Sequence, residues 1–395
     1  MTKQDVTLSD INLNTEPPPD GDTSDDVRSV FPAQYAQTAS VCLGLESCSI
    51  VRLRHVSPGH VFSLTSTGHV YCHSVETSAL SRDWSISSDP GHRVSDISSV
   101  DSSAVLTSSS DGCVRLWDKR QSSDSPVIIM SNTSSKHSGP PSSPPVLSCV
   151  SVRSGGDLVV AGSELLGQDS YLLFWDVRSA GKMLGGYWSV HSDDVTDLLF
   201  TGHNTLVSGS TDGLVNVLDI SKEDEDEALV TSLNTGDSVA QVSSAQDSES
   251  IMVRTHTESV VVWSQNSNKC VTVSRDQLRE GIHRKVSDYI YTCGVHVTGS
   301  GSRSVLVGSR CVSSPCLRLV RVTDNGVLEA GAELVRSGGS VRCAEYLDND
   351  DDVILTGGED GVIRVWRQGQ DQDDSASNMK IQTAKTKHKP YDKSK

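Results

Sequence analysis

The sequence predicts an all-β fold built from a repeated unit. One segment recurs seven times: an apolar strand, a turn that often contains Asp-Gly, a second apolar strand, and then Trp or a substitute. The Trp position advances by about 45 residues in most steps and by nearly 58 in two, which matches one propeller blade per repeat with two insertions. Seven stacked units would bury a continuous core that one unit cannot bury alone. The expected architecture is therefore a seven-bladed β-propeller.

The repeats differ in clarity. The clearest copies span 105–118, 206–219 and 353–366, and weaker copies span 61–74, 158–176, 251–264 and 305–321. The residues at the Trp position are His73, Trp117, Trp175, Leu218, Trp263, Val320 and Trp366. The alternation of apolar and polar residues in these copies predicts half-buried strands, and Asp-Gly between two such strands predicts a hairpin turn. The two long steps contain a Ser/Pro-rich insertion (131–145) and a segment expected to form a short helix (275–285).

The two chain ends predict how the ring closes. The residues after Trp366 are polar and cannot supply a fourth strand to the last repeat, whereas residues 36–45 are strand-like and precede the first repeat. We expect this N-terminal strand to complete the last blade, because an open array would leave an unpaired sheet edge. The expected domains are a disordered acidic extension (1–33), the propeller (34–368) and a disordered C-terminal tail (369–395).

Charge and composition limit the partners. The formal net charge of -17 opposes non-specific binding to nucleic acid or to an anionic membrane. No apolar run is long enough for a transmembrane helix, and the N-terminus lacks the pattern of a secretory signal. The expected location is the cytoplasm or the nucleus, or both, with reduced cysteines. Cys311 and Cys316 have no second pair in register, so no metal site is expected.

The repeats resemble the WD40 family, in which Gly-His precedes Trp-Asp by about 25 residues. Gly91-His92 and Trp117-Asp118 carry this pattern in full. The resemblance implies a buried hydrogen-bonded tetrad of His92, Ser108, Asp111 and Trp117 that stiffens the second repeat. The fourth repeat keeps His191 and Asp212 but has Leu218, and the last keeps Asp360 and Trp366 but has Gly339 where His is usual.

Two copies of Trp-Asp-x-Arg carry the sharpest functional hypothesis. The first ends in Asp118 and Arg120, and the second in Asp176 and Arg178. Tandem motifs of this kind are similar to those of substrate receptors of cullin-4 ubiquitin ligases, in which the Arg contacts the ligase adaptor. A guanidinium suits this contact because it can pair a carboxylate bidentately. The alternative is that both arginines are solvated charges.

Charged segments offer a second hypothesis. The acidic runs 222–227 and 348–352 are expected on the same rim as Arg120 and Arg178, where they could steer a basic partner or simply solubilise the loops. The Ser/Pro insertion, with Ser143-Pro144, is expected on the opposite rim and to be disordered. The basic tail 380–395 could be a nuclear signal, a weak RNA contact or a solvated tail.

The sequence contains none of the common catalytic motifs, so no enzyme activity, catalytic residue or cofactor is expected. A hydrolase would need a polar cluster at the mouth of the central channel. The expected function is a protein-interaction scaffold, a monomer within a larger complex. Two roles remain open: a substrate-recognition subunit of a cullin-4 ligase, or an assembly scaffold in nuclear or nucleolar particle (ribosome) biogenesis that binds basic proteins.

Overall fold

The computed structural model describes most of the repeat region and a short segment before it. The described residues are 21–23, 27–44, 48–56, 59–75, 79–86, 92–121, 125–131, 144–245, 250–264, 269–311, 314–335, 339–347, 353–369 and, for the backbone, 382–383. Most of the expected N-terminal extension, most of the Ser/Pro insertion, the acidic run 348–352 and nearly all of the tail lie outside these residues. No helix in the described part has the length and hydropathy that a membrane span requires.

Twenty of the strands form five separate four-stranded antiparallel blades. Blade 1 contains β2 (Ile50–Val56), β3 (His60–Thr65), β4 (Val70–Val75) and β5 (Leu80–Ile86). Blade 2 contains β6 (Val94–Asp101), β7 (Ala104–Ser109), β8 (Cys113–Asp118) and β9 (Ile128–Ser131). Blade 3 contains β10 (Leu147–Val152), β11 (Leu158–Ser163), β12 (Ser170–Asp176) and β13 (Lys182–His191). Blade 4 contains β14 (Val195–Phe200), β15 (Thr205–Ser210), β16 (Leu214–Asp219) and β17 (Leu229–Asn234), and blade 5 contains β18 (Val239–Ser243), β19 (Ser250–Thr255), β20 (Val260–Ser264) and β21 (Lys269–Val273).

The remaining strands form one larger sheet. Its hydrogen-bonded order is β22 (Ile290–Val297), β23 (Arg303–Ser309), β24 (Cys316–Val322), β25 (Leu328–Leu334), β1 (Ala33–Cys42), β28 (Val362–Gln368), β27 (Val353–Gly358) and β26 (Val341–Leu347), and the two-residue β29 (Gln382–Thr383) pairs with β1. We call it the joined sheet.

The prediction of a seven-bladed propeller is wrong, because the chain forms five separate blades and the joined sheet. The reason is the double pairing of β1. This strand runs antiparallel to β28, with Gln37 opposite Trp366, and parallel to β25, with Tyr35 opposite Leu334. A strand with a neighbour on each side unites both groups of strands in one hydrogen-bonded sheet.

The turns and the burial pattern explain why the repeats form strands. The second strand of a repeat is buried along its length, as in β11 of blade 3 and β27 of the joined sheet, because neighbouring sheets cover both of its faces. Asp-Gly hairpin turns join the second and third strands of the clear repeats. Gly112 and Gly213 have φ of +77° and +84°, a conformation that glycine adopts without strain.

The first strand of each unit lies beside the central channel. Strands β2, β6, β10, β14, β18, β22 and β26 contact one another in this order, and β26 contacts β2. Carboxylates link these strands across the gaps between sheets. Asp96 Oδ2 accepts a hydrogen bond from the Val150 amide at 3.2 Å, and Asp197 Oδ2 accepts one from Val242 at 2.9 Å.

In the described part of the chain three short α-helices lie against the sheets: α1 (Val27–Val30), α2 (Glu225–Ala228) and α3 (Arg275–Gly281). The helix expected within 275–285 is present as α3, which begins with a capping box between Ser274 and Gln277. The segment before β1 packs on the joined sheet. Phe31 is fully buried there, and Asp22 pairs with two buried arginines.

Candidate functional site

The blades expose two rims that differ in their residues. One edge is formed by the connections between first and second strands and between third and fourth strands, and we call this edge the lower rim. The upper rim is the opposite edge, where second and third strands connect and where the chain passes to the next blade. Arg120 and Arg178 both follow third strands, β8 and β12, so both lie on the lower rim, on adjacent blades.

Arg120 turns back onto the aspartate of its own motif. Its Nε donates to Asp118 Oδ1 at 2.9 Å and its Nη2 to Asp118 Oδ2 at 2.7 Å, while its backbone N–H donates to the same carboxylate at 2.9 Å. The hydrogen bond from Arg120 lowers the pKa of Asp118. The Arg120 side chain is nevertheless 71% exposed, so the ion pair stands open to solvent.

Arg178 lies in a short 3-10 helix that Asp176 caps. The Asp176 carboxylate accepts the Arg178 backbone N–H at 2.9 Å, as Asp118 does in the first motif. The Arg178 guanidinium is held less tightly, at 3.4 Å from Asp176 and 3.7 Å from Asp157, and the side chain is 72% exposed. In both motifs the aspartate therefore fixes the turn, and the guanidinium remains accessible.

The acidic run 222–227 also lies on the lower rim, between β16 and β17. Part of it is structural: Asp224 caps α2, and Glu225 accepts hydrogen bonds from Ser189 and the Trp188 amide of blade 3. Four of its acids are exposed, the capping Asp224 and also Glu223, Asp226 and Glu227. The sequence did not indicate that Glu225 joins two blades.

The second repeat does not assemble the tetrad as expected. Trp117 Nε1 donates to Thr107 Oγ1 at 3.0 Å rather than to Ser108, whose buried hydroxyl has no hydrogen-bond partner among the described residues. Successive side chains on a strand face opposite sides, so a one-residue difference in register exchanges the two hydroxyls. His92 is 42% exposed and lies 3.8 Å from Asp111, whose carboxylate pairs with Arg115 instead.

Blade 4 holds the hydrogen-bonded chain that blade 2 lacks. His191 Nδ1 lies 3.1 Å from Asp212 Oδ2, and its Nε2 lies 2.8 Å from Ser208 Oγ. Burial raises the pKa of Asp212. The hydrogen bond and the charge of His191 lower it by more, so the pKa of Asp212 lies below its usual value. In the last repeat Arg364 pairs with Asp360, as Arg115 pairs with Asp111. An arginine thus replaces histidine at the carboxylate in two repeats.

The lower mouth of the central channel is polar. A cavity of about 460 Å³ opens there, lined among others by Asp197, Gln241, His296 and Glu345. Burial raises the pKa of Glu345, whose Oε1 accepts the His55 amide at 3.2 Å. Asp197 is bound by the Val242 amide. Both carboxylates therefore hold neighbouring inner strands together. No group of three His, Cys, Asp or Glu side chains suited to a metal ion occurs in the described residues.

Comparison with known proteins supports the repeat assignment. The model of the family described as WD domain, G-beta repeat, matches residues 54–118, 184–219 and 333–367. The chain is 26% identical over 273 residues to an uncharacterised WD repeat-containing protein of Schizosaccharomyces pombe, covering 67% of this chain and 79% of the relative. It is 26% identical over 239 residues to another from Saccharomyces cerevisiae, covering 58% and 59%.

A third relative and a solved structure agree. The WD repeat-containing protein 89 homolog of Dictyostelium discoideum is 23% identical over 304 residues, covering 73% of this chain and 77% of the relative. The runs 191–200 and 206–220, followed by 228–234, also resemble WD repeat-containing protein 89. The crystal structure of the WD40 β-propeller domain of Doa1 superposes with a TM-score of 0.58 at 14% identity, covering 84% of this chain and 96% of that one, which supports the fold alone. WD40 repeats are thus found over three parts of the chain, and its relatives include a WD repeat-containing protein 89 homolog.

Proposed function

We propose that this chain is a protein-interaction scaffold that binds the adaptor of a cullin-4 ubiquitin ligase through its lower rim. The observation that carries the proposal is the placement of Arg120 and Arg178 on one rim of adjacent blades, each more than two-thirds exposed. In this role the upper rim and the channel mouth select the ligase substrate. The fold itself fits a protein-interaction scaffold.

The chemistry of the two motifs suits an exchange of partners. Each guanidinium rests on a carboxylate of its own turn, which keeps the side chain near one orientation before binding. Exposed ion pairs of this kind contribute little to stability, so an incoming carboxylate can compete for the arginine at small cost. The aspartates keep the turn in place during the exchange, because each also accepts the backbone N–H of its arginine.

Co-purification tests this contact. Tagged wild type and the variant Arg120→Ala/Arg178→Ala are expressed in the same cells, and the recovered cullin-4 adaptor is measured. We expect wild type to capture the adaptor and the double variant to lose most of it, because a charge-assisted hydrogen bond in an interface contributes about 1.5–3 kcal/mol. Circular dichroism checks that the variant remains folded.

A matched control comes from the opposite rim. The variant Arg310→Ala/Arg342→Ala also removes two exposed arginines, so it changes the net charge equally, and it should retain the adaptor. Failure of wild type to capture the adaptor contradicts the proposal, as does equal loss in both double variants, which would reflect net charge alone.

The exposed acids of the α2 loop favour a second candidate, an assembly scaffold that binds basic proteins in nuclear or nucleolar particles. Glu223, Asp226 and Glu227 lie on the lower rim and are solvated, so they can attract a cationic surface over a Debye length of about 10 Å. The variant Glu223→Gln/Asp226→Asn/Glu227→Gln should reduce capture of basic partners by unbiased pull-down and leave adaptor capture intact. The two candidates are thereby separated.

A further inference from the structure

The upper mouth of the channel is a cationic cavity in an acidic protein. A cavity of about 240 Å³ opens where β2, β22 and β26 begin and where β19 and β23 end. Three arginines line it: Arg254 at the end of β19, Arg310 after β23 and Arg342 at the start of β26. Glu258 is the carboxylate in this lining. The three guanidinium groups thus exceed the acid by two charges, although the whole chain carries -17.

Arg254 differs from the other enclosed arginines in its pairing. Arg52, Arg318 and Arg364 each have a carboxylate within ion-pair distance. The side chain of Arg254 is partly buried, and its Nε donates a long hydrogen bond of 3.4 Å to the neutral Gln241. No carboxylate in the described part of the chain lies within 4.0 Å of its guanidinium. A partly enclosed charge is costly unless it is paired, so the guanidinium of Arg254 is well suited to receive an anion.

The nearby carboxylate is engaged elsewhere. Glu258 Oε2 accepts hydrogen bonds from the amide of Thr292, at 2.7 Å, and from its hydroxyl. Burial lowers the pKa of Arg254; Glu258 raises it, and the charge of Arg52 lowers it again, leaving the pKa below its usual value. A bound anion would raise the pKa of Arg254 again, because it would counter the charge of Arg52 and compensate for the burial of the guanidinium.

The other two arginines stand at the open side of the cavity. The Arg310 guanidinium lies over the Tyr291 ring, 4.8 Å from its centroid, which orients the cation without neutralising it. Arg342 pairs with Glu359 at 3.2 Å, and both of these side chains are about half exposed. Such a surface pair is weak, so Arg342 can turn to a ligand in the cavity.

We propose that this cavity binds a phosphate monoester. Such a group carries roughly −1.5 to −2 charges near pH 7, which suits a lining of three guanidinium groups and one carboxylate, and its three terminal oxygens can accept from several guanidinium groups at once. A carboxylate offers two acceptor oxygens, one fewer than the number of guanidinium groups in the lining. The site is on the rim opposite Arg120 and Arg178, so it does not depend on the adaptor contact.

Titration calorimetry of the full chain tests the proposal. The probes are N-acetyl-O-phosphoserine amide, N-acetylserine amide and inorganic phosphate, at an ionic strength of about 0.05 M so that screening is limited. We expect saturable one-to-one binding of the phosphorylated amide and none of the unphosphorylated one. Tighter binding of the amide than of inorganic phosphate identifies a phosphorylated polypeptide as the source, and the reverse order identifies free phosphate.

Variants connect the binding to the cavity. Arg310→Ala/Arg342→Ala should weaken binding by at least about tenfold, because each charged hydrogen bond lost corresponds to a factor of that order. Arg254→Met, which keeps most of the side-chain volume, should weaken it similarly. Arg120→Ala/Arg178→Ala should bind as wild type does. Absence of saturable binding by wild type, or equal binding by all variants, overturns the proposal and leaves the adaptor contact untouched.

Discussion

The indole Nε1 of Trp366 donates a 2.8 Å hydrogen bond to Thr356 Oγ1, and both side chains are fully buried. The bond joins β28 to β27 in the joined sheet. Trp117 and Thr107 form the same contact across β8 and β7, at 3.0 Å, although Trp117 is only partly buried. The Trp-Thr bond therefore occurs in two repeats and its burial differs between them, whereas the indole of Trp175 donates to the Ser131 carbonyl.

Replacing Thr356 with Val should destabilise the protein, because the indole N–H of Trp366 would remain buried without an acceptor. We expect a loss of about 1–3 kcal/mol in the free energy of unfolding. Urea denaturation followed by tryptophan fluorescence measures it. Thr107→Val is the matched control and should cost less, since water can reach Trp117. Equal losses at both positions would show that burial of the indole does not set the cost.

His73 should make the fold sensitive to mild acid. It occupies the Trp position of the first repeat and is fully buried, and its Nε2 lies 2.9 Å from Ser63 Oγ. Burial, and then the charge of Arg82, lower its pKa from 6.5 to about 3. Between these values the unfolded chain binds a proton that the folded chain does not, so stability falls as the pH decreases through this range.

Lowering the pH from 7 to 5 should therefore cost about 2 kcal/mol at this site, since one pKa unit corresponds to about 1.4 kcal/mol. Denaturation midpoints of wild type and His73→Gln at both pH values measure the effect. The amide of Gln can still reach Ser63 but does not titrate, so the variant should lose less stability on acidification. An equal loss of stability in the two proteins between pH 7 and pH 5 would refute the role of His73 in the acid sensitivity.

Asp22 should stabilise the joined sheet from outside the repeats. Its Oδ1 lies 2.6 Å from Arg318 Nη1 and 3.3 Å from Arg284 Nη1, and both arginines are almost fully buried. Asp22→Asn keeps the shape but removes the charge, and should lower the free energy of unfolding by about 1–3 kcal/mol. Differential scanning fluorimetry measures it. Asp324→Asn, which removes an exposed carboxylate paired with Arg303, is the control and should change the melting temperature little.

Removing β1 should prevent folding, because this strand occupies the edges of both β25 and β28. A chain that begins at residue 44 should aggregate or remain unfolded, since two unpaired strand edges would be exposed. A chain that begins at residue 21 keeps β1 and Asp22 and should remain monomeric. Size-exclusion chromatography and circular dichroism distinguish the two. A folded monomer from the shorter chain would contradict the expectation.

Local patterns predicted individual strands better than the links between them. The Asp-Gly turn and the alternation of CVRLW placed β7 and β8 well, because both signals are contained in a few residues. The family resemblance implies Ser108 as the partner of Trp117, whereas the indole bonds to Thr107, because two adjacent hydroxyl residues give no sign of which one faces the indole. The parallel pairing of β1 with β25 uses backbone groups alone, so no side-chain pattern indicates it.

The cationic cavity could not be predicted for a different reason. Arg254, Arg310 and Arg342 are far apart in the sequence and belong to no common motif. Only the ring of inner strands brings them together, and only the burial of Arg254 without a carboxylate distinguishes them from surface arginines. The contact of Asp22 with Arg284 and Arg318 could not be predicted either. Nothing in the acidic segment before the repeats indicates that one of its carboxylates pairs with buried arginines.

The position of β1 between β25 and β28 has a consequence for biosynthesis. A ribosome releases Ala33–Cys42 long before it releases Val362–Gln368. The first strand of the chain therefore has no partner on this side until the last strand of the repeats has been synthesised. During this interval the nascent chain carries an unsatisfied edge at its leading end, a state that favours association with other chains. Premature termination before Val362 would leave this edge of β1 permanently exposed, so truncated products would carry one unpaired strand that quality control can recognise.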